Sequence, residues 1–237
     1  SFCDQEVSGH KWRGMSPPKI IENMEKLVDF GIDYFYITDD LYLVNLKDVR
    51  ETARLILESE KLKNVRWEAI TRVNLVNKAA KNKVKYKGVK FNLLEFIRLS
   101  GCVQLHIAPE TGSEKLRFET VFKKISNDEI IESVNHISKA GISVKLLCMI
   151  GLPGETIIDT KETFNFMNTL GREGANYGMV AIFTPLPTTP AAILIENDVL
   201  GWTGDLKDWS KMVKRMEKHY AESIYSKLYS SLHCLTV

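Results

Sequence analysis

The sequence is poor in cysteine. Its four thiols among 237 residues, Cys3, Cys102, Cys148 and Cys234, are scattered too widely for the disulfide framework of a small secreted domain. Cys102 and Cys148 sit in apolar runs and read as buried thiols that act as small hydrophobes. No apolar stretch approaches the roughly 20 residues that a membrane helix needs. Ser1 to Lys11 is polar and has no apolar core, so it does not read as a secretory signal. These absences predict a reducing cytoplasm and no membrane partner. No G-x-G-x-x-G follows the first strand-like segment, which argues against a dinucleotide-binding sheet. The five histidines, His10, His106, His136, His219 and His233, form no ligand spacing. His106 lies within a strand-like run and reads as a satisfied core residue.

What remains is an ordinary globular composition, 44% hydrophobic and 26% charged, long enough for one large α/β domain. The net charge of +2 hides a local excess. Lys78, Lys81, Lys83, Lys85, Lys87 and Lys90 crowd residues 78–90, which contain no acid. Such a patch could grip nucleic-acid phosphates. The alternative is a solvated surface insertion, favoured because no arginine and only Tyr86 accompany the lysines.

Helix and strand signals alternate along the chain. Ser16 can cap a helix begun by Pro17, with Ile21, Met24, Leu27 and Val28 on one face and Gly31 past its end. Ile32 to Thr38 is rich in aromatic and β-branched residues and reads as a strand. Asn45 can cap a helix through Glu58, and the short strand Val65 to Ile70 follows. Beyond the lysine-rich insertion come a helix over Leu93 to Leu99 and a strand over Val103 to Ala108. Ser126 and Glu129 form a capping box before a helix carrying Ile130, Ile131, Val134 and Ile137. Ile142 to Ile150 is a bounded apolar run, read as a buried parallel strand. A helix from about Asp159 to Leu170 precedes the last strand, Tyr177 to Phe183. Helix, glycine and strand recur at Gly31, Gly101, Gly141 and Gly171, which argues for parallel strands with right-handed crossovers. Five strands predict part of a TIM-type barrel, and Trp209 to Leu232 reads as a helical tail.

In parallel barrels the chemistry sits at the C-terminal ends of the strands. Those ends carry Thr38-Asp39-Asp40, Thr71-Arg72, Pro109-Glu110-Thr111-Gly112, Gly151 to Glu155, and Thr184-Pro185-Leu186-Pro187. The turn Gly151-Leu152-Pro153-Gly154-Glu155-Thr156 is the most telling, because glycine directly after a strand lets a ligand approach the backbone. Each end alone could be a helix cap or a tight turn. Acids, an arginine and glycines converging on one rim suggest a ligand site.

With these motifs in this order, the chain resembles the radical S-adenosylmethionine (radical SAM) superfamily, in particular the branch often fused to cobalamin-binding domains. The likeness runs from Ser1 to about Pro190. Ser1-Phe2-Cys3 is similar to the end of the family's C-x-x-x-C-x-aromatic-C motif. The first two cysteines are then expected upstream, one directly before Ser1 and one four positions earlier. Trp12-Arg13 and Ser16-Pro17 resemble the approach to the first helix, Asp39-Asp40 the family's acidic motif, and Ala108 to Ser113 its glutamate motif. Ile150 to Thr156 and Pro185-Leu186-Pro187 resemble the motifs after the fifth and sixth family strands. Thr188-Thr189 departs from the family's Gly-Thr.

The resemblance implies a partial (β/α)6 barrel over 1–195, lacking its first strand, and a helical extension over 196–237. It implies a [4Fe–4S] cluster with Cys3 as one ligand, S-adenosylmethionine on the open iron, and cobalamin by analogy alone. Asp40 would take the methionine ammonium, and the backbone from Ile150 through Gly151, Leu152 and Pro153 to Gly154 would face the adenine. Glu155 closes that turn, and Glu110 and Arg72 would lie near the ribose or the methionine carboxylate. The reaction expected is hydrogen abstraction, or methyl or methylthio transfer, on an unnamed small-molecule or RNA substrate, with flavodoxin or ferredoxin as electron donor. The competing reading is an RNA-binding or degenerate non-catalytic barrel that uses the insertion at 78–90.

Overall fold

The computed structural model describes residues 14–39 and 41–183. Five strands form one parallel sheet: β1 (Tyr34–Ile37), β2 (Arg66–Thr71), β5 (Cys102–Glu110), β6 (Ser143–Ile150) and β7 (Tyr177–Ile182). Their spatial order, β1-β2-β5-β6-β7, repeats their chain order. Each crossover therefore steps in the same direction, and right-handed connections place the helices on one face. A dinucleotide-binding sheet would reverse direction at a switch point. This sheet does not, and it is the partial barrel expected of the sequence.

The helical layer contains α1 (Pro17–Asp29), α2 (Leu46–Glu58), α3 (Val73–Lys81), α4 (Leu93–Leu99), α6 (Asn127–Lys139) and α7 (Ile157–Arg172). Strand side chains alternate between faces, so every second residue enters the core with these helices. Trp67, Ala69, Leu105, Ile107, Val144 and Leu146 are buried there against Ala53, Val76, Ile130 and Val134. Trp67 donates from Nε1 to the Ser100 carbonyl at 3.1 Å, which satisfies the polar edge of the ring. The other face of the sheet is the inner, concave side of the partial barrel.

Local signals explain most element ends. Asn45 accepts from the backbone N–H of Lys47 and Asp48. Ser126 and Glu129 complete a reciprocal capping box, as Asn92 with Glu95 and Thr156 with Asp159 also do. Ser16 stands at the N-cap of α1 but makes no side-chain cap bond. Gly31, Gly101 and Gly141 take positive φ at helix ends, as the repeat requires. Gly171 does not, because α7 runs through it to Arg172 and Gly174, φ +111°, makes the turn.

The lysine-rich stretch is structured. Lys78 and Lys81 end α3, and Lys83–Tyr86 (β3) pairs with Val89–Asn92 (β4) in an antiparallel hairpin. Lys87 and Gly88 both take positive φ in the two-residue turn, as a primed hairpin turn demands. Val84 is buried, and Tyr86 and Phe91 pack on Phe96 of α4. The lysine side chains ride on a hairpin inserted into the helical layer, not on the rim where the sheet strands end. The rim loop after β5 holds a further short helix, α5 (Glu114–Glu119). The tail from Trp209 to Leu232 and the extension over 196–237 lie outside the described residues.

Candidate active site

Four of the five strand ends that the sequence singled out, those after β1, β2, β5 and β6, lie on one rim, and Thr184 to Pro187 lies outside the described residues. Parallel pairing sets the exits of β1, β2, β5 and β6 side by side, with Ile37 beside Ala69, Thr71 beside Ile107, and Glu110 beside Cys148. Asp39 and Arg72 are both exposed there and form no ion pair with another described residue. Thr71 is 2% exposed, and its Oγ1 has no hydrogen-bond partner among the described residues. Asp40, Cys3 and Pro185-Leu186-Pro187 lie outside the described residues.

The turn after β6 is held by its own glutamate. Glu155 Oε2 accepts from the backbone N–H groups of Gly151 and Leu152, and its Oε1 accepts from Thr160 Oγ1 at 2.9 Å. Burial raises the Glu155 pKa, against the lowering effect of those hydrogen bonds. Its carboxylate is thus spent inside the loop, shaping the backbone of Ile150 to Gly154. Gly151 and Gly154 take positive φ, and a Cβ at Gly154 would meet nothing within 4 Å, so the turn is open to an approaching group at Gly154. Ile150 and Leu152 are buried and anchor the turn.

The loop after β5 is clamped from beneath. A bulge in the β5–β6 register lies between Ile107 and Glu110, and Glu110 itself takes a left-handed φ of 66°. Strain of this kind persists where surrounding contacts over-determine the backbone. Lys123 forms an ion pair with Glu110 Oε1. Gly112 packs so tightly against α7 that a Cβ would fall 2.5 Å from the Glu162 carbonyl oxygen. Thr163 Oγ1 takes the Gly112 N–H at 3.0 Å, and Ser113 donates to Asp159 at 2.7 Å.

Arg117 of α5, which the sequence did not flag, organises this loop. Its guanidinium, 1% exposed, donates to the carbonyls of Pro109, Thr111 and Ile125 and to Asn127 Oδ1. Burial lowers its pKa while the charges of Glu114 and Glu110 oppose the shift. Nothing local in the sequence marks a buried arginine, because its partners are mostly backbone carbonyls. The Cys148 thiol beneath Glu110 is 3% exposed, and burial pushes its pKa up to about 12. Cys102 is fully buried and shifted the same way, so both are core thiols as expected.

The rim therefore offers the exposed Asp39 carboxylate, the exposed Arg72 guanidinium and a turn open at Gly154. Among the described residues no group of three His, Cys, Asp or Glu could hold a metal ion. Also among them, no helix is long and apolar enough to cross a membrane.

Comparison with known proteins agrees with this geometry. The family model for the radical SAM superfamily matches residues 1–167. Anaerobic magnesium-protoporphyrin IX monomethyl ester cyclase of Cereibacter sphaeroides is 26% identical over 191 residues, which is 80% of this chain and 29% of that protein. An uncharacterized methyltransferase of Pyrococcus horikoshii is 27% identical over 190 residues, 79% of this chain and 37% of that protein. The chain thus spans about a third of the length of these relatives. Among solved structures, the radical S-adenosylmethionine methyltransferase TsrM of Kitasatospora setae, bound to cobalamin and a [4Fe–4S] cluster, superposes with a TM-score of 0.61. It is 15% identical, and the match covers 77% of this chain and 34% of that one. At that identity the likeness shows a shared fold.

Proposed function

The chain belongs to the radical SAM superfamily, and from that we propose that it is the core of an enzyme that cleaves S-adenosylmethionine reductively and directs the product radical at a bound substrate. The chemistry supplied on cofactor binding is one-electron cleavage of the sulfonium, giving methionine and a 5′-deoxyadenosyl radical. Cys3 would hold one iron of a [4Fe–4S] cluster, together with two cysteines of the same motif. Asp40 would orient the methionine ammonium, Glu110 and Arg72 would lie near the ribose or the methionine carboxylate, and the backbone of Ile150 to Gly154 would face the adenine. Glu155, Arg117 and Lys123 would act on the loops, fixing their shape. The protein's part is to position these groups and keep water out.

One observation supports the reading: the family match spans 1–167, and the described strand-end motifs within it follow adjacent strands of a singly wound parallel sheet. The named relatives are a cyclase and an uncharacterized methyltransferase, which favours ring formation or methyl transfer as the outcome, with cobalamin as a second cofactor by analogy with TsrM. Cleavage consumes one electron, so a reductant is required, and a flavodoxin or ferredoxin would supply it.

The test is 5′-deoxyadenosine formation by full-length, anaerobically reconstituted protein with dithionite, followed by chromatography. Wild type should release 5′-deoxyadenosine and Cys3→Ala should release none. Equal release by both would remove Cys3 from the chemistry, and absence from both would overturn the reading.

A further inference from the structure

The lysine-rich hairpin carries charge that nothing in the described fold neutralises. Lys78, Lys81, Lys83, Lys85, Lys87 and Lys90 are all exposed. The lysines that form ion pairs among the described residues, Lys19, Lys26, Lys61, Lys63 and Lys123, lie elsewhere. Side chains alternate along a strand, so Val84 turns inward with its partner Phe91 while Lys83, Lys85 and Lys90 share the opposite face. Lys85 stands directly across from Lys90. Like charges in that position repel across the strands, so the hairpin keeps this pair at the expense of stability.

Beside the lysines lies a groove. Lys90, Phe91, Glu95, Arg98, Leu99 and Ala140 line an open depression of about 630 Å³ between the hairpin, α4 and the end of α6. Residues 78–90 hold no arginine and Tyr86 as their one aromatic, but folding sets Phe91 and Arg98 beside Lys90. Glu95, the one acid of the lining, accepts the Asn92 N–H at 2.7 Å in the capping box of α4. Arg98 is exposed, and its Nε donates to the Gly141 carbonyl at 2.8 Å, which ties α4 to the turn before β6. The groove therefore lies near the N-terminal ends of the strands, away from the rim.

We propose that the hairpin and groove bind a single strand of nucleic acid, with Lys83, Lys85, Lys87 and Lys90 on its phosphates and a base in the groove against Phe91 and Arg98. Lysine is a compact point charge that suits phosphate, and it is depleted at protein–protein interfaces. That depletion favours a nucleic acid over an acidic protein. Cations flanking a partly exposed aromatic ring and a guanidinium are what single-strand binding uses, because every base has a face to stack. Phosphate contacts and stacking carry no base code, so the binding is independent of sequence. The surface anchors a strand at the end of the sheet opposite the rim, and it does not depend on the radical chemistry proposed there.

The experiment is fluorescence anisotropy of the full-length protein with labelled oligouridylate and oligothymidylate of about 20 nucleotides, titrated at several salt concentrations. The logarithm of affinity should fall against the logarithm of salt with a slope near about −3, four lysines contributing roughly 0.7 each on a single strand. Lys85→Gln with Lys90→Gln should make that slope shallower by about 1.4. Removing the facing charges should also leave the protein at least as resistant to urea as wild type. Phe91→Leu should weaken binding about fivefold or more at every salt concentration without changing the slope, and Phe91→Tyr should retain it. Urea unfolding of the same samples shows that each variant is folded. Either oligonucleotide behaving in this way supports the surface. No binding at about 50 mM salt, an unchanged slope in the double variant, or undiminished affinity in Phe91→Leu would overturn it. Labelled poly-glutamate of equal charge bound as tightly as the oligonucleotides would overturn it in favour of an acidic protein partner.

Discussion

Arg117 is the residue on which the β5 loop depends. A buried guanidinium is tolerated only when its donors are met, and here three carbonyls and one amide oxygen meet them. Arg117→Met would leave those acceptors unpaired and should cost about 3–5 kcal/mol, read from urea unfolding. Lysine should not rescue it, because one ammonium cannot reach acceptors arrayed around a planar fork. Glu155 makes a different statement about pH. Burial raises its folded pKa above the ordinary 4.5, so the folded state binds its proton more tightly than the unfolded state. Its contribution is fully present below about pH 4.5 and is lost as pH rises through the folded pKa. Relative to Glu155→Gln, wild type should therefore lose stability between pH 4.5 and 7, a trend that paired urea titrations would reveal. The two core thiols give a third test. With pKa values raised by burial, Cys102 and Cys148 should resist iodoacetamide at pH 8 in native protein and react once it is unfolded in urea.

At the scale of elements, the loops are fixed by close approach as much as by hydrogen bonds. A Cβ at Gly101, where φ is +102°, would lie 2.3 Å from the Val65 carbonyl oxygen, and one at Gly112 would strike the backbone of α7. Gly101→Ala and Gly112→Ala should each cost about 2–4 kcal/mol in thermal or urea unfolding. Gly154→Ala, which meets only open space, should cost about 1 kcal/mol from its positive φ. Elements with a strong local signature were legible in the sequence. The five sheet strands announce themselves by β-branched runs, and Asn45 and Ser126 announce their helices. The hairpin of β3 and β4 did not, because its turn is Lys-Gly and its core is only Val84, Tyr86 and Phe91 among lysines. Helix α3 was lost for the same reason, its apolar face of Val73, Val76 and Ala79 being diluted by Lys78 and Lys81. Gly171 misled because a glycine inside a helix reads like one that ends it.

For the whole molecule, singly wound topology makes the rim site possible. Helices on one face leave the other bare, and strand ends gather on one rim. The rim was legible because acids, glycine or proline stand at the ends of β1, β5 and β6, and an arginine at the end of β2. The roles of its residues were less so: Glu155 is turned inward to its own backbone, Glu110 is tied to Lys123, and Arg117 left no trace. His106 read as a satisfied residue, but its partner Glu68 did not, since that pairing needs strand register, which local sequence does not carry. The decisive measurement is low-temperature electron paramagnetic resonance of the reduced, reconstituted full-length protein, with and without S-adenosylmethionine. A [4Fe–4S] signal that changes on adding S-adenosylmethionine, and that is lost in Cys3→Ala, is the expected result. A signal indifferent to S-adenosylmethionine, or one that survives intact in Cys3→Ala, would contradict it.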